Sequence, residues 1–301
     1  MKLSLIIALA ASMGLTHAAQ LPPLPAGIAV KQNVEYVPGG GPRQMLDVYF
    51  PEKAEKPVPL VVWIHGGAWL EGGKDQPPAL PLLQQGFAVA SITYRFSQNA
   101  TFPAQIEDCK SAIRWLRKNA VSLHIAPDRI GVWGASAGGH LVAMLGVSGD
   151  VKAWDKGDNL DQSSRVQAVC DWFGPTDFLT FGTQGDKDRF HNPHAFPAAN
   201  TAGSPLAKLI GGAIPENQEK ARAASPVTHV TKDAAPFLIM HGDEDPLVPY
   251  AQSTELQQAL EKAGVSSKLV KLPGAGHGGP QFNERQTLQQ VAEFFGRTLR
   301  N

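Results

Sequence analysis

The sequence predicts an α/β fold, in which helices cover both faces of a mostly parallel sheet of eight strands. Two observations carry this expectation. From about residue 58 onward, short apolar runs alternate with segments whose apolar residues recur at helical spacing. Continuous apolar runs are typical of strands covered on both faces, and the helical segments between them supply right-handed crossovers. With 301 residues, 43% of them hydrophobic, the chain is large enough for such a domain.

The first nineteen residues have the pattern of a secretory signal peptide. A short charged start precedes an apolar run at residues 3–15, and small residues suited to cleavage follow it. The run is too short for a convincing membrane anchor, so we expect no stable membrane insertion. We therefore expect residues 1–19 to be removed on export to the periplasm or the medium, and residues 20–301 to form one domain. A buried N-terminal helix is the alternative.

Eight segments have the residue pattern of strands. They lie at residues 34–36, 45–49, 59–64, 87–92, 129–133, 166–173, 236–240 and 268–272. The first two alternate apolar and polar residues on either side of a glycine-rich turn, which predicts an antiparallel pair. The later runs are continuously apolar, which favours a parallel arrangement for the rest of the sheet.

Helices are expected between these strands. We place them near residues 78–85, after Pro103, at 141–145, at 250–263 and over the last apolar stripe at 288–299. The helix after Pro103 is the clearest, because its apolar residues follow helical spacing. They are Ile106, Cys109, Ile113 and Leu116.

The alternating pattern breaks down between residues 176 and 225. Glycine, proline, asparagine and aspartate are frequent there, and phenylalanines are scattered among them. The stretch is too long for a simple connection in a compact domain. We expect an insertion, after the sixth strand, that forms a lid over the site described next. A loop without function is the alternative.

A G-x-S-x-G pentapeptide, Gly134 to Gly138, lies between an expected strand and an expected helix. In that context the motif is typical of a nucleophile elbow, a sharp turn that presents the hydroxyl of Ser136 at the top of the sheet. Backbone crowding at the turn requires glycine at both ends of the motif. The pentapeptide alone could equally be a glycine-rich loop without chemistry.

Three other loops that follow expected strands also carry reactive residues. His65-Gly66-Gly67 comes first along the chain, Asp245 comes after the pentapeptide, and His277 comes last. The carboxyl ends of parallel strands meet at one edge of a sheet, so we expect these loops to lie together around Ser136. The order oxyanion loop, Ser, Asp, His is the chain order of an α/β-hydrolase triad.

Four motifs together carry a family resemblance: HGGAW at 65–69, GASAGGH at 134–140, HGDEDPLVP at 241–249 and GAGHG at 274–278. The chain resembles the α/β-hydrolase esterases, most of all the bifunctional feruloyl and acetyl esterase group and more distantly the hormone-sensitive-lipase group. The resemblance covers roughly residues 33–299, and it implies the α/β-hydrolase fold.

Acyl transfer explains why a triad is needed. A neutral serine hydroxyl is a poor nucleophile, so His277 is expected to accept the proton of Ser136 during attack and to return it to the leaving alcohol. Asp245 would hold the imidazole in the correct tautomer and stabilise the imidazolium. This chemistry requires no cofactor and no metal.

Backbone N–H groups must face the oxyanion that attack creates. Ala137, directly after the serine, would supply one, and the resemblance implies Gly67 and Ala68 as the others. Ala68 stands where lipase-like relatives have a third glycine, which puts bulky tertiary-alcohol esters in doubt. Trp69 and Trp172 are expected to line the substrate pocket, although a core role is an equal alternative.

Several residues compete for these roles. Asp243 is the rival of Asp245, and the resemblance favours the acid directly before Pro-Leu-Val, which leaves Asp243 to bond the loop backbone. His241 lies on the same strand end as the acid and is expected to be structural. His65 is expected to brace the oxyanion loop, and His140 to pack behind the elbow.

Two further groups need an interpretation. His191 and His194 could belong to a metal site, but a solvated polar loop is favoured. Cys109 and Cys170 could form a disulfide after export, but each falls in a predicted buried element, so two buried thiols are favoured.

These observations together predict an exported serine carboxylesterase acting on short-chain or aromatic acyl esters, either small molecules or groups linked to polysaccharide. An arylformamidase or other amidase and a peptidase, which use the same triad, remain alternatives, as does a binding protein on a hydrolase fold. The formal net charge is zero and no basic block occurs, so nucleic acid is not an expected partner.

Overall fold

The computed structural model describes residues 24–183 and 201–300. The strands in these ranges are β1 (Ile28–Glu35), β2 (Met45–Pro51), β3 (Val58–Ile64), β4 (Ala88–Ile92), β5 (Ile125–Ala135), β6 (Ala168–Trp172), β7 (Phe237–Gly242) and β8 (Ser267–Leu272). The α-helices are α1 (Ala104–Lys118), α2 (Ala137–Val147), α3 (Pro205–Ile210), α4 (Gln218–Ala223), α5 (Tyr250–Lys262), α6 (Pro280–Asn283) and α7 (Arg285–Leu299).

The strands form a single sheet in the order β1-β2-β4-β3-β5-β6-β7-β8. Strand β2 runs antiparallel to both of its neighbours, β1 and β4. The six strands β3 to β8 all run parallel to one another. The prediction of a mostly parallel, eight-stranded sheet is confirmed. Because β3, β5, β7 and β8 are parallel, the loops that follow them lie at the same edge of the sheet.

Each face of the sheet carries its own apolar core. Along β3, Leu60, Val62 and Ile64 enter one core, while Val61 and Trp63 enter the other. Helices α1, α2 and α5 cover the first core. Helix α7 and the short 3-10 helix Leu80–Gln85 cover the second. The continuous apolar strands are therefore explained by burial on both faces, as expected.

The first helix shows how the sequence pattern becomes packing. All four members of the predicted stripe on α1 are fully buried, which places that face of the helix against the sheet. Cys109 is one of them, so its thiol lies in the first core, whereas Cys170 lies in the second. Both cysteines are free, and the sheet separates them. The prediction of two buried thiols is confirmed.

Element boundaries differ from the prediction where apolar periodicity is weak. Strand β1 begins at Ile28 rather than at residue 34, because most of its residues are exposed at the edge of the sheet and need not alternate. Its register also shifts between Lys31 and Val34. The helix expected near 78–85 is the 3-10 helix Leu80–Gln85, which is capped by Gly86 in the left-handed conformation.

The predicted insertion is only partly described. Residues 184–200, and with them Phe190 and Phe196, lie outside the described residues. The flanking parts contain α3 and α4, and their apolar side chains join the first core. Among these, Phe178 and Ala221 are fully buried. The described parts therefore pack on the domain, and the role of a lid stays a prediction.

Candidate active site

Ser136 occupies the turn between β5 and α2. Its backbone has φ 57° and ψ −121°, in the left-handed half of conformational space that disfavours a side chain. The turn is held by two hydrogen bonds, from the N–H of Ser136 to the carbonyl of Trp172 (2.8 Å) and from the N–H of His140 to the carbonyl of Ser136 (2.9 Å). The strained turn places the hydroxyl at the edge where the strand-end loops meet.

The glycines of the pentapeptide are required by close backbone contacts. A Cβ on Gly134 would collide with the carbonyl of Gly138, and a Cβ on Gly138 would collide with the carbonyl of Ile64 at the end of β3. Neither obstacle is a side chain that could move aside. The predicted reason for glycine at both positions is therefore observed.

His277 lies between Ser136 and Asp245. Its Nε2 is 2.8 Å from the Ser136 Oγ, and its Nδ1 is 2.7 Å from the Asp245 Oδ2. A carboxylate can only accept, so Nδ1 carries the proton and Nε2 accepts from the serine hydroxyl. The arrangement can pass the hydroxyl proton to the imidazole. Phe173 packs edge-on against the imidazole at a ring separation of 4.7 Å.

The Asp245 carboxylate receives four N–H donors. Its Oδ1 accepts from the backbone N–H groups of Leu247 (2.8 Å) and Val248 (2.9 Å), and its Oδ2 accepts from His277 and His241. Burial would raise the pKa of Asp245, but the hydrogen bonds from His241 and His277 outweigh burial and hold it well below its usual value. The group is therefore an anion beside His277.

Asp243 points elsewhere. Its Oδ1 accepts the backbone N–H of Gly274 at 2.7 Å, which ties the end of β7 to the loop after β8. This is the backbone role that the sequence predicts for the residue. The structure brings Asp245, not Asp243, to His277.

His241 was expected to be structural, and its contact with the acid was missed. Its side chain is fully buried, and its Nε2 lies 3.2 Å from the Asp245 Oδ2 and 3.0 Å from the carbonyl of Val248. A carboxylate and a carbonyl can only accept, so Nε2 carries the proton and Nδ1 accepts from the Ser253 hydroxyl at 2.7 Å. The spacing of four residues from His241 to Asp245 was visible in the sequence, but the direction of the ring was not.

The loop after β3 lies directly against the serine. A Cβ on Gly66 would come within 3.3 Å of the Ser136 Cβ. Gly67, Ala68 and Trp69 all have positive φ, at 103°, 54° and 59°. Ala137 is the first residue of α2, so its N–H has no acceptor within the helix. Of the three residues predicted to supply oxyanion donors, Ala137 thus directly follows the serine, and Gly67 and Ala68 directly follow Gly66; their donor role stays a prediction.

His65 braces this loop, as predicted. Its Nδ1–H donates to the carbonyl of Gly66 at 2.7 Å, and its ring stacks on Tyr94 at 4.5 Å. The Tyr94 hydroxyl in turn donates to the carbonyl of His65 at 3.0 Å. Burial lowers the pKa of His65 to about 4, although the bond to Gly66 opposes the shift, so the ring is neutral near pH 7.

Both tryptophans predicted to line the pocket are core residues. Trp69 is 2% exposed and lies in the first core, and Trp172 is 4% exposed and lies in the second. Trp172 packs edge-on against Trp133 at 4.8 Å, on the face of the sheet opposite α2. The core alternative therefore describes Trp172, and its role in the pocket stays a prediction. The core alternative also describes Trp69.

Asp171 is a buried carboxyl group beside the elbow that the sequence reasoning overlooked. It lies next to Gly134 in the sheet, it is fully buried, and its Oδ1 accepts the N–H of Gly174 at 2.9 Å. Burial raises its pKa to about 7, against the opposing effect of that bond. An aspartate within an apolar strand was the available signal.

The histidines considered for a metal site, His191 and His194, lie outside the described residues. Across residues 24–183 and 201–300, histidine, cysteine and acidic side chains form no group of three or more placed to bind a metal ion. Over the same ranges, no helix has the length and apolar character needed to cross a bilayer.

The strand order and the Ser–His–Asp geometry are those of the α/β-hydrolase class. Within that class, the sequence pattern of the BD-FAE family matches residues 46–260, well over half of the chain. The chain therefore belongs to the BD-FAE family.

Named relatives and solved structures agree with this placement. The esterase LipQ of Mycobacterium tuberculosis is 31% identical over 278 residues, which cover 89% of this chain and 62% of LipQ. The chain thus spans about three fifths of the length of this relative. A truncated carbohydrate esterase from gut microbiota superposes with a TM-score of 0.82 at 34% identity, covering 91% of this chain and 97% of that one. A bifunctional GH43-CE protein of Bacteroides eggerthii gives 0.77 at 34% identity, over 89% and 38% of the two chains.

Proposed function

We propose that the protein is a serine carboxylesterase that hydrolyses short-chain or aromatic acyl esters through an acyl-enzyme on Ser136. One observation carries the proposal: the Ser136 hydroxyl is hydrogen-bonded to His277, whose other nitrogen is hydrogen-bonded to the buried Asp245 carboxylate. The esterase names of the relatives support the same reaction type.

The reaction has two proton-coupled halves. In the first, His277 takes the hydroxyl proton while the Ser136 Oγ bonds to the ester carbonyl carbon; the C–O bond then breaks and the alcohol leaves with that proton. In the second, His277 takes a proton from water, the hydroxide attacks the acyl-enzyme, and the proton returns to Ser136 as the acid leaves. Asp245 stabilises the imidazolium in both halves.

The negative charge that develops on the carbonyl oxygen needs donors that are already in place. The N–H groups of Ala137, Gly67 and Ala68 supply them in this proposal. Removal of one such donor typically costs about 10²–10³ in rate. The positive φ angles of Gly67 and Ala68 give their N–H groups directions that differ from those in a regular strand, and we propose that these directions face the oxyanion.

The names of two relatives support a proposal for the substrate class. Two solved structures at 34% identity carry the words carbohydrate esterase or CE in their names. We propose that the alcohol part of the ester is a sugar unit of a polysaccharide and that the acyl part is acetyl or aromatic. The same proposal includes export of residues 20–301, because such polymers occur outside the cell.

Ser136→Ala tests the reaction. We expect hydrolysis of p-nitrophenyl acetate to fall to background while the circular dichroism spectrum and the melting temperature match the wild type. Ser122→Ala, which changes an exposed serine, is the matched control and keeps full activity. Retained Ser136→Ala activity would refute the proposal.

A substrate panel tests the specificity. Acetyl-xylan, methyl ferulate and p-nitrophenyl esters of increasing length are compared with an aryl formamide and a peptide anilide. We expect the highest kcat/KM on acetyl-xylan or methyl ferulate. Faster turnover of the formamide or the anilide would favour the amidase or peptidase alternative.

A further inference from the structure

Two consecutive residues of the loop after β3 adopt a conformation that their side chains disfavour. Ala68 has φ 54° and Trp69 has φ 59°. A non-glycine residue in the left-handed region is strained, and it persists only where its surroundings fix it. Some contact of this loop must therefore hold the peptides of both residues in place.

The side chain of Trp69 provides such a contact. Its Nε1–H donates to the Nδ1 of His140 at 3.2 Å, and the two rings meet edge-on at 5.1 Å. The indole also packs against Phe178 at a ring separation of 5.7 Å, with the rings tilted. The backbone is also held, because the carbonyl of Trp69 accepts the N–H of Ser97 at 2.8 Å. The indole is 2% exposed, so these contacts are shielded from water.

His140 can accept from Trp69 because its own proton is fixed. It is fully buried on α2, four residues after Ser136, and its Nε2 lies 2.7 Å from the carbonyl of Ala224. A carbonyl only accepts, so Nε2 carries the proton and Nδ1 is free to accept. Burial lowers the pKa of His140 to about 4, against the opposing bond to Ala224, so the ring stays neutral at working pH.

The ring of His140 therefore joins three parts of the molecule. His140 lies on the elbow helix α2 and bonds the oxyanion loop through Trp69. It also contacts two residues of the insertion: it bonds the carbonyl of Ala224, and its ring lies 5.2 Å from the ring of Phe178.

We propose that His140 is a positioning residue for oxyanion stabilisation: through its hydrogen bond to Trp69 it fixes the left-handed peptides at Ala68 and Trp69, and its own orientation is fixed by Ala224 and Phe178. The inference rests on the proposed esterase function. His140 touches no reacting atom and acts only through Trp69.

Three variants separate this role from simple packing. Trp69→Phe removes the N–H and keeps a ring; His140→Leu removes the acceptor; His140→Gln keeps one acceptor and one donor. Oxyanion donors act mainly in the transition state, so we expect Trp69→Phe and His140→Leu to lower kcat about tenfold or more with KM within about twofold. The affinity for an alkyl boronic acid, which forms a tetrahedral adduct on the serine, falls in parallel. His140→Gln recovers most of kcat.

The double variant and a matched control complete the test. Because both residues act through one bond, Trp69→Phe with His140→Leu loses no more kcat than the worse single variant. His229→Leu is the control: His229 bonds the neighbouring carbonyl of Ala223 at 2.8 Å and its ring meets Trp154 at 5.1 Å, so it takes no part in the Trp69–His140 bond and kcat is unchanged.

Several outcomes would overturn the proposal. These are wild-type kcat in Trp69→Phe, a rise in KM at constant kcat, unchanged boronic acid affinity, or additive losses in the double variant. If His140→Leu does not fold, Trp69→Phe and His140→Gln decide the question by the same readouts. A wild-type protein without Ser136-dependent turnover would instead refute the esterase proposal, so the two failures are distinguishable.

Discussion

Which carboxylate faces His277 decides the chemistry at the residue scale. Asp245 and Asp243 are two residues apart, yet one contacts the imidazole and the other a loop N–H. We expect Asp245→Asn to lower kcat/KM by orders of magnitude, about 10⁴-fold, because the amide favours the wrong tautomer of His277. Asp243→Asn serves as the matched variant and loses only a few-fold, as measured by p-nitrophenyl acetate hydrolysis. The reverse order of losses would make Asp243 the acid.

Asp171 predicts a dependence of stability on pH. Its pKa is raised from 3.8 to about 7 in the folded protein, so between these values the folded state holds a proton that the unfolded state has lost. The contribution of this group to stability is therefore greatest below pH 3.8 and is lost as the pH rises towards 7, by at most about 1.4 kcal/mol per pH unit. Asparagine does not ionise, so the stability of Asp171→Asn does not fall with pH through this group.

Urea unfolding at several pH values measures the effect. We expect the stability of Asp171→Asn relative to wild type to increase steadily from pH 4 to pH 7.5. Asp233→Asn, at an exposed position, is the control and shows no such trend. A difference for Asp171→Asn that does not change with pH would show that the carboxyl group is ionised in the folded protein throughout.

Residue types and spacing predicted the reactive groups but not the surroundings of each side chain. Ser136, Asp245 and His277 come together because parallel strands deliver their loops to one edge, a rule that needs no coordinates. The second histidine on Asp245 depends on ring orientation, and the burial of Trp172 depends on which face of β6 it takes. These are packing outcomes that a motif does not contain.

The elbow shows the same division at the scale of an element. Glycine at positions 134 and 138 follows from the motif, but only the packing of β5 and α2 against β3 shows what a side chain would strike. Gly138→Ala would drive a methyl group into the carbonyls of Ile64 and His65. We expect a loss of about 1–3 kcal/mol in unfolding free energy, together with loss of activity.

Gly296→Ala is the control for that substitution. Gly296 lies within α7, and a Cβ there would meet nothing within 4 Å. Alanine favours the helix by roughly 0.5–1 kcal/mol over glycine, so this variant is expected to unfold at slightly higher urea. If Gly138→Ala were as stable and active as Gly296→Ala, the crowding that explains the elbow would be wrong.

The elements that periodicity predicted well are those buried on one definite face. Helix α1 follows its stripe because all four apolar positions meet the sheet. Strand β1 was predicted too short because an exposed edge strand imposes no apolar alternation on its residues. The helices α3 and α4 were not predicted, since each has only 6 residues, too few to show a period.

At the scale of the whole molecule, the two cores predict how the thiols behave. Cys109 and Cys170 are fully buried on opposite faces of the sheet, and burial raises the pKa of each thiol well above its usual value. We expect the melting temperature to be the same with and without dithiothreitol, and alkylation by iodoacetamide to require unfolding. A lower melting temperature under reducing conditions would indicate a disulfide and contradict this arrangement.

The central claim is that Ser136 is the nucleophile of a serine esterase. A fluorophosphonate reacts with such a serine by forming a P–O bond as fluoride leaves, so the label reports the activated hydroxyl itself. Intact mass spectrometry followed by peptide mapping is the most direct measurement. We predict one adduct per chain, on the peptide that contains Ser136, and none on Ser136→Ala. An unlabelled wild-type protein, or an adduct on another residue, would contradict the account.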